Sequence, residues 1–230
     1  MAGDAVALDT VTLDRGRRAG QVAAWTAEEA GLLGAEYYAA NPVWPLETTV
    51  ANINMDSFLP GAEVSPQIVV MGAGKSQTDA WLERRASEQG RTLIPNPAPQ
   101  AGGFYRSDHF PLARMGAPAL FGAAGFTGHN EASRNYVANR YHKPSDEWTP
   151  DWVMDGAAVD VDLLYAVGRD LADSRDLADS RDWPEWNAGA EFEAARAASA
   201  AARRRGGNKR TQECRCTSSL WYRDQWKPRA

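Results

Sequence analysis

Four stretches of this sequence carry side chains able to do acid–base or metal chemistry. Two adjacent carboxylates, Glu28 and Glu29, stand between the apolar run QVAAWT and the helix-like run AGLLGAEYYAA. Asp56 follows VANINM, the segment FYRSDHF supplies Phe104, Tyr105, Ser107, Asp108 and His109, and His142 lies in NRYHKPSDEW. Imidazole nitrogen and carboxylate oxygen are donors that Zn²⁺ accepts at about 2.0–2.2 Å. A carboxylate left off the metal is free to take a proton from a water. Adjacent residues at a strand end point to opposite sides, so one glutamate can hold metal while its neighbour faces a substrate. No HExxH or CxxC gathers these groups into one local motif, and spacing alone leaves plainer readings open. A Glu-Glu pair suits the start of a helix, an aspartate after a strand suits a turn, and a lone histidine suits surface or core. The run Ser107-Asp108-His109 is no catalytic relay, because triads assemble from distant segments.

Such residues make a site only if the fold brings strand ends together, as an open α/β sheet does at the carboxyl ends of its strands. Residues 21–170 alternate apolar and amphipathic runs between Pro and Gly, the pattern of an α/β domain. QVAAWT, TTVANINMD, QIVVMGAG and APALFGAAG read as strands. AGLLGAEYYAA reads as a helix. QTDAWLERRASEQG is an amphipathic helix with Trp81 and Leu82 on one side. WVMDGAAVDVDLLYAVGRDLADS is a long helix with an apolar stripe at Val159, Leu163, Val167 and Leu171. RDLADS then occurs twice in tandem, too short a repeat for a solenoid unit. Residues 1–20 have no clear period, and the stretch 196–230 turns Ala-rich and then basic, the composition of a disordered tail.

The 230 residues suffice for one domain with a real core, and a formal net charge of −5 argues against non-specific nucleic-acid binding. No apolar run approaches the roughly 18 residues a membrane span needs. The first residues show no positive-then-apolar leader, and localisation stays open. Cys214 and Cys216 are two residues apart, badly placed to bridge, with no second Cys or His pair nearby to complete a zinc knuckle. Trp148, Trp152, Trp183 and Trp186 read as packing residues and His129 as a loop residue.

WTAEEAGLLGAEYYAANP, NINMDSF, FYRSDHFPLARMGAPALF and YHKPSDEW, in this order, resemble the co-catalytic zinc aminopeptidase family, whose relatives include glutaminyl cyclases. The resemblance runs from about residue 20 to 195 and defines the expected catalytic domain, 21–195. It implies an α/β fold, a mostly parallel sheet flanked by helices, and hydrolysis of an N-terminal residue from a peptide through water bridging two zinc ions. By the same resemblance Glu28 is the general base and Glu29, Asp56 and His142 are zinc ligands. Ser107, Asp108 and His109 shape the substrate pocket, with Phe104 or Tyr105 against the scissile group. The resemblance departs from the family at its start. Two further ligands, a histidine in an HxD-like segment and an aspartate in a DNxSG-like segment, have no counterpart before Glu28. The expectation is therefore a domain incomplete at its N-terminus, holding one zinc ion or none. The alternative function is an inactive homologue that binds a partner without turnover.

Overall fold

The computed structural model describes residues 8–9, 20–56, 58–61, 63–123, 131–178 and 182–200. His129, Cys214, Cys216, most of the leader and nearly all of the basic tail lie outside the described residues. A four-stranded sheet organises the chain: β3 (Asn52–Asn54), β4 (Gln67–Val70), β5 (Thr92–Pro95) and β6 (Ala119–Ala123), in the order β3-β6-β4-β5. β3 pairs parallel with β6, and β4 parallel with β5. The central pairing, β4 with β6, is antiparallel. Two of the three pairings thus match the parallel expectation, and the sheet as a whole is mixed.

Alternation along the strands assigns the two faces. Ile68 and Val70 of β4 and Leu120 of β6 point to one side, into a core with Leu82 and Ala86 of α2 (Thr78–Glu88) and Leu163, Leu164, Val167 and Leu171 of α5 (Asp155–Asp173). Both helices are ones that the sequence predicts, and three of the four predicted stripe residues, Leu163, Val167 and Leu171, lie in this core, with Leu164 in place of Val159. On the other side Ala119 packs with Phe104 and Ala113 of α3 (His109–Arg114), and Phe121 lies against His109. α1 (Leu33–Ala40) lies on α3, joined through Tyr38, Ala39, Leu46, Leu112 and Ala117. Arg114 reaches Glu36 across the same contact at 2.6 Å.

Several elements depart from the sequence reading. QVAAWT is not a strand of the main sheet; only Val22–Ala23 (β2) is extended, and it pairs antiparallel with β1 (Leu8–Asp9). β5 escapes the reading because four residues ending in Pro95 carry little periodic signal, and an outer strand tolerates proline. α4 (Glu131–Asn139) escapes it because only Ser133 and Tyr136 of this helix are buried, too few to print a stripe. Trp186 is buried and Trp183 packs against the core as expected, but Trp148 is 71% exposed. The packed body also runs past the expected start of the tail at 196. Arg196, in α6 (Glu193–Ala198), is 1% exposed and donates to the Thr49 carbonyl at 2.9 Å and to Glu185 at 3.1 Å. A guanidinium buried this way is tolerated because its donors are matched by carbonyls and a carboxylate.

Candidate active site

The glutamate pair sits neither at a strand end nor at a helix start. It occupies a compact turn ahead of α1, closed by Leu32 N–H to the Glu28 carbonyl at 2.8 Å and Gly34 N–H to the Thr26 carbonyl at 3.0 Å. The turn bends through left-handed backbone at Ala27 (φ 56°) and Leu32 (φ 60°), conformations that cost a non-glycine residue free energy and persist only where the surroundings hold them. Gly34 makes the closure sterically open: a Cβ there would stand 2.7 Å from the Thr26 nitrogen. The turn leaves Glu29 exposed and Glu28 half-buried.

Three other segments converge on it. His142, itself left-handed at φ 57°, brings Nε2 to 3.1 Å from Oε1 of Glu29, and its ring stacks on Tyr141 at 3.9 Å. Asp56, two residues beyond β3, accepts a hydrogen bond from the Ser107 hydroxyl at 2.6 Å. Ser107 in turn accepts one from the Asn54 amide at 2.7 Å, and both Asn54 and Ser107 are buried. Glu28 lies among these charges. Burial first, then Glu29 and Asp56, raise its pKa above the ordinary glutamate value, while His142 and Arg106 pull it down. Asp108 is pushed up to about 6 by burial and then by Glu28 and Asp56, and its Oδ1 is buried without a hydrogen bond. The Tyr141 phenol is kept protonated by burial and by Asp56, Glu29 and Glu28. Segments 28–29, 54–56, 106–108 and 141–142 therefore form one acidic constellation.

Three expected pocket residues, Phe104, Ser107 and His109, are buried behind this surface rather than on it. Phe104 is 5% exposed, its ring stacked on Phe192 and set edge-on to His109. His109 opens α3 with no exposed surface, wedged between Phe104 and Phe121, and neither ring nitrogen has a hydrogen-bond partner. Burial lowers its pKa to about 3, and the Phe104 backbone, short of hydrogen-bonding geometry, compensates only weakly. Phe104 and His109 support the turn 105–108 from within. Of the rest of that segment, Ser107 is buried, Asp108 is half-buried and Tyr105 is exposed.

Residues 10–165 match the sequence profile described as Peptidase family M28, more than half of the chain. The chain belongs to peptidase family M28. Among solved structures, an aminopeptidase from Aneurinibacillus sp. strain AM-1 is similar at 19% identity and a TM-score of 0.47. The alignment covers 66% of this M28 chain and 33% of that protein, so the chain spans about a third of its length. No curated protein matches the chain.

Zinc, the metal of this family, meets a partial donor set in this M28 chain. Ligand atoms about 2.0 Å from a tetrahedral zinc stand roughly 3.3 Å apart, close to the 3.1 Å between His142 and Glu29. Among the described residues, however, no group of three or more His, Cys, Asp or Glu side chains is arranged to hold a metal. The pair alone fits two corners of a zinc site and does not fit a two-metal centre.

The sequence reading named Glu28, Glu29, Asp56, His142 and the 104–109 segment, and missed Asn54, Arg106 and Tyr141. Asn54 sits two residues before Asp56 on one strand, and strand alternation puts both on the same side, which is the signal that could have found it. Tyr141 and Arg106 carry no such signal; only the folded chain brings them to the glutamates.

Proposed function

We propose that this M28 chain acts as an aminopeptidase-type exopeptidase, cleaving the bond after the N-terminal residue of a peptide, with Glu28 as general base. The observation that carries the reading is the position of Glu28 among Glu29, Asp56 and Asp108. A raised carboxyl pKa makes a stronger base, better matched to removing a proton from water near neutral pH. The same carboxylates outnumber Arg106 and His142, so the centre favours a cation, and the cation of a peptide substrate is its terminal ammonium. Glu28 would accept the proton of the attacking water at its carboxylate and return it to the amine released when the C–N bond breaks. Glu29 and His142 would hold zinc, which when bound polarises a carbonyl and acidifies water. Ser107, held by Asn54, fixes the Asp56 carboxylate in place. Tyr105 and Asp108 would border the bound residue.

The test is turnover of aminoacyl 4-nitroanilides by zinc-loaded protein, with Glu28→Gln beside it. The expected result is a loss of about 10²-fold or more in kcat at unchanged zinc content. Equal rates in the variant would end the assignment.

A second reading has its own support. Glu29 is paired with His142 and Asp56 is bonded to Ser107, so both carboxylates already have partners within the fold, which favours a homologue that binds peptides without turnover. Zinc per chain after dialysis, by elemental analysis, separates the two: retained zinc supports the enzyme, none supports the binding protein.

A further inference from the structure

The chain segment from Trp183 to Ser199 lies beyond the family-matched residues and crosses back over the loop between β4 and α2. Trp186 forms a β-bridge with Ser76, and the Glu185 carbonyl accepts from the Gln77 N–H at 3.0 Å. Asn187 donates its backbone N–H to the Lys75 carbonyl at 2.8 Å and its side-chain amide to the Gly74 carbonyl at 2.7 Å. This strap then meets the turn 104–108 through two consecutive residues. Phe192 stacks on Phe104, and one carboxylate oxygen of Glu191 accepts the Tyr105 hydroxyl at 2.5 Å and the Lys75 ammonium at 2.6 Å. Lys75 also lies over the Tyr105 ring, 5.6 Å from its centroid. Tyr105 is 39% exposed; its ring meets Phe104 and Phe110 edge-on, and its hydroxyl end is held by Glu191 and Lys75.

The next three residues of the turn belong to the candidate centre. Arg106 acts on Glu28, Ser107 is bonded to Asp56, and Asp108 is raised by both carboxylates. We propose that Glu191 is a positioning residue: by anchoring Tyr105 and Lys75 it holds the 104–108 turn against the centre and sets the wall that a substrate side chain would meet. The proposal rests on the reading of that centre as a peptidase site. An ionised acceptor with two donors makes charge-assisted bonds stronger than neutral ones, and the Lys75 and Tyr105 hydrogen bonds keep Glu191 ionised below the usual carboxylate range. The pair is partly exposed, so the effect is modest in size and local in reach.

The experiment compares Glu191→Ala, Glu191→Gln, Tyr105→Phe and the double variant Glu191→Ala/Tyr105→Phe by hydrogen exchange, by calorimetric Tm and by kinetics on aminoacyl 4-nitroanilides with small and large side chains. Exchange of amides 105–110 is expected to quicken about threefold or more in Glu191→Ala and in Tyr105→Phe, with no further gain in the double variant. KM should rise by a similar factor for large side chains in the same two variants, and Glu191→Gln should restore part of both. Unchanged exchange at 105–110 in Glu191→Ala, or additive effects in the double variant, would overturn the proposal. A lower Tm without either local change would reduce Glu191 to a stabilising contact and also overturn it. Absence of turnover in the unmodified chain would sink the peptidase reading alone, because the exchange result decides the positioning role by itself.

Discussion

Acidification should loosen this domain through His109, the imidazole buried beneath the candidate centre. An unfolded histidine takes its proton near pH 6.5, whereas the folded one, held neutral by burial, takes it only at about 3. Between those values the unfolded chain binds more protons, so stability falls as pH falls from 6.5 toward 3 and levels off below. Above 6.5 the imidazole is neutral in both states and contributes no pH dependence. Each pH unit is worth about 1.4 kcal/mol, which gives a loss of ~3 kcal/mol by pH 4.5 and ~5 kcal/mol by pH 3. Against a total of roughly 5–15 kcal/mol for a domain, this is a large share. Asp108 works in the opposite direction. Its folded pKa of about 6 exceeds the ordinary aspartate value, so it adds stability as pH falls through that window. It is partly open to solvent, so it offsets the histidine only in part. Urea denaturation of metal-free protein from pH 7.5 to 4 measures the sum. The wild-type midpoint should drop steadily below pH 6.5. His109→Leu, which removes two unpartnered nitrogens, should stay within about 1 kcal/mol of wild type at pH 7.5 and lose most of the slope. Asp108→Asn should steepen it below pH 6. A His109→Leu variant with the full wild-type slope would refute the reasoning, since the imidazole would then be taking its proton inside the fold at no penalty.

Two substitutions test the packing that carries the centre. Gly72→Ala would place a Cβ 2.4 Å from the Phe104 ring at a backbone φ of +80°, so a loss of about 2–3 kcal/mol is expected in denaturant unfolding; wild-type stability would mean that Phe104 is free to move. Asp160→Ala should cost about 3 kcal/mol, because Arg91, 4% exposed, keeps its bond to the Ser65 carbonyl but loses its only carboxylate partner among the described residues. Replacing both partners with apolar residues should recover much of that loss, and a double variant as unstable as the single one would contradict the account.

Much of the frame was legible in the chain itself. α2 and α5 print a helical stripe, β4 and β6 are apolar runs between glycines and prolines, and the acidic and histidine residues appear in family order. β5, α3, α4 and α6 were not legible, being short or buried on too few residues to show a period. The position of the glutamate pair was misread because its turn depends on left-handed Ala27 and Leu32, residue types that announce no such backbone. Phe104 and His109 were expected at the pocket but lie in the core, since residue type does not tell which side of a turn faces solvent.

By itself the sequence determined which groups are present, in what order, and which segments become long helices and inner strands, because amphipathic period and turn residues act over a few neighbours. Tertiary structure alone decided the rest. Glu29 meets His142, Asp56 meets Ser107, and Glu191 meets Tyr105 across separations of 113, 51 and 86 residues. No local period encodes such meetings. They follow from packing on both sheet faces, which brings together loops that the sequence holds far apart.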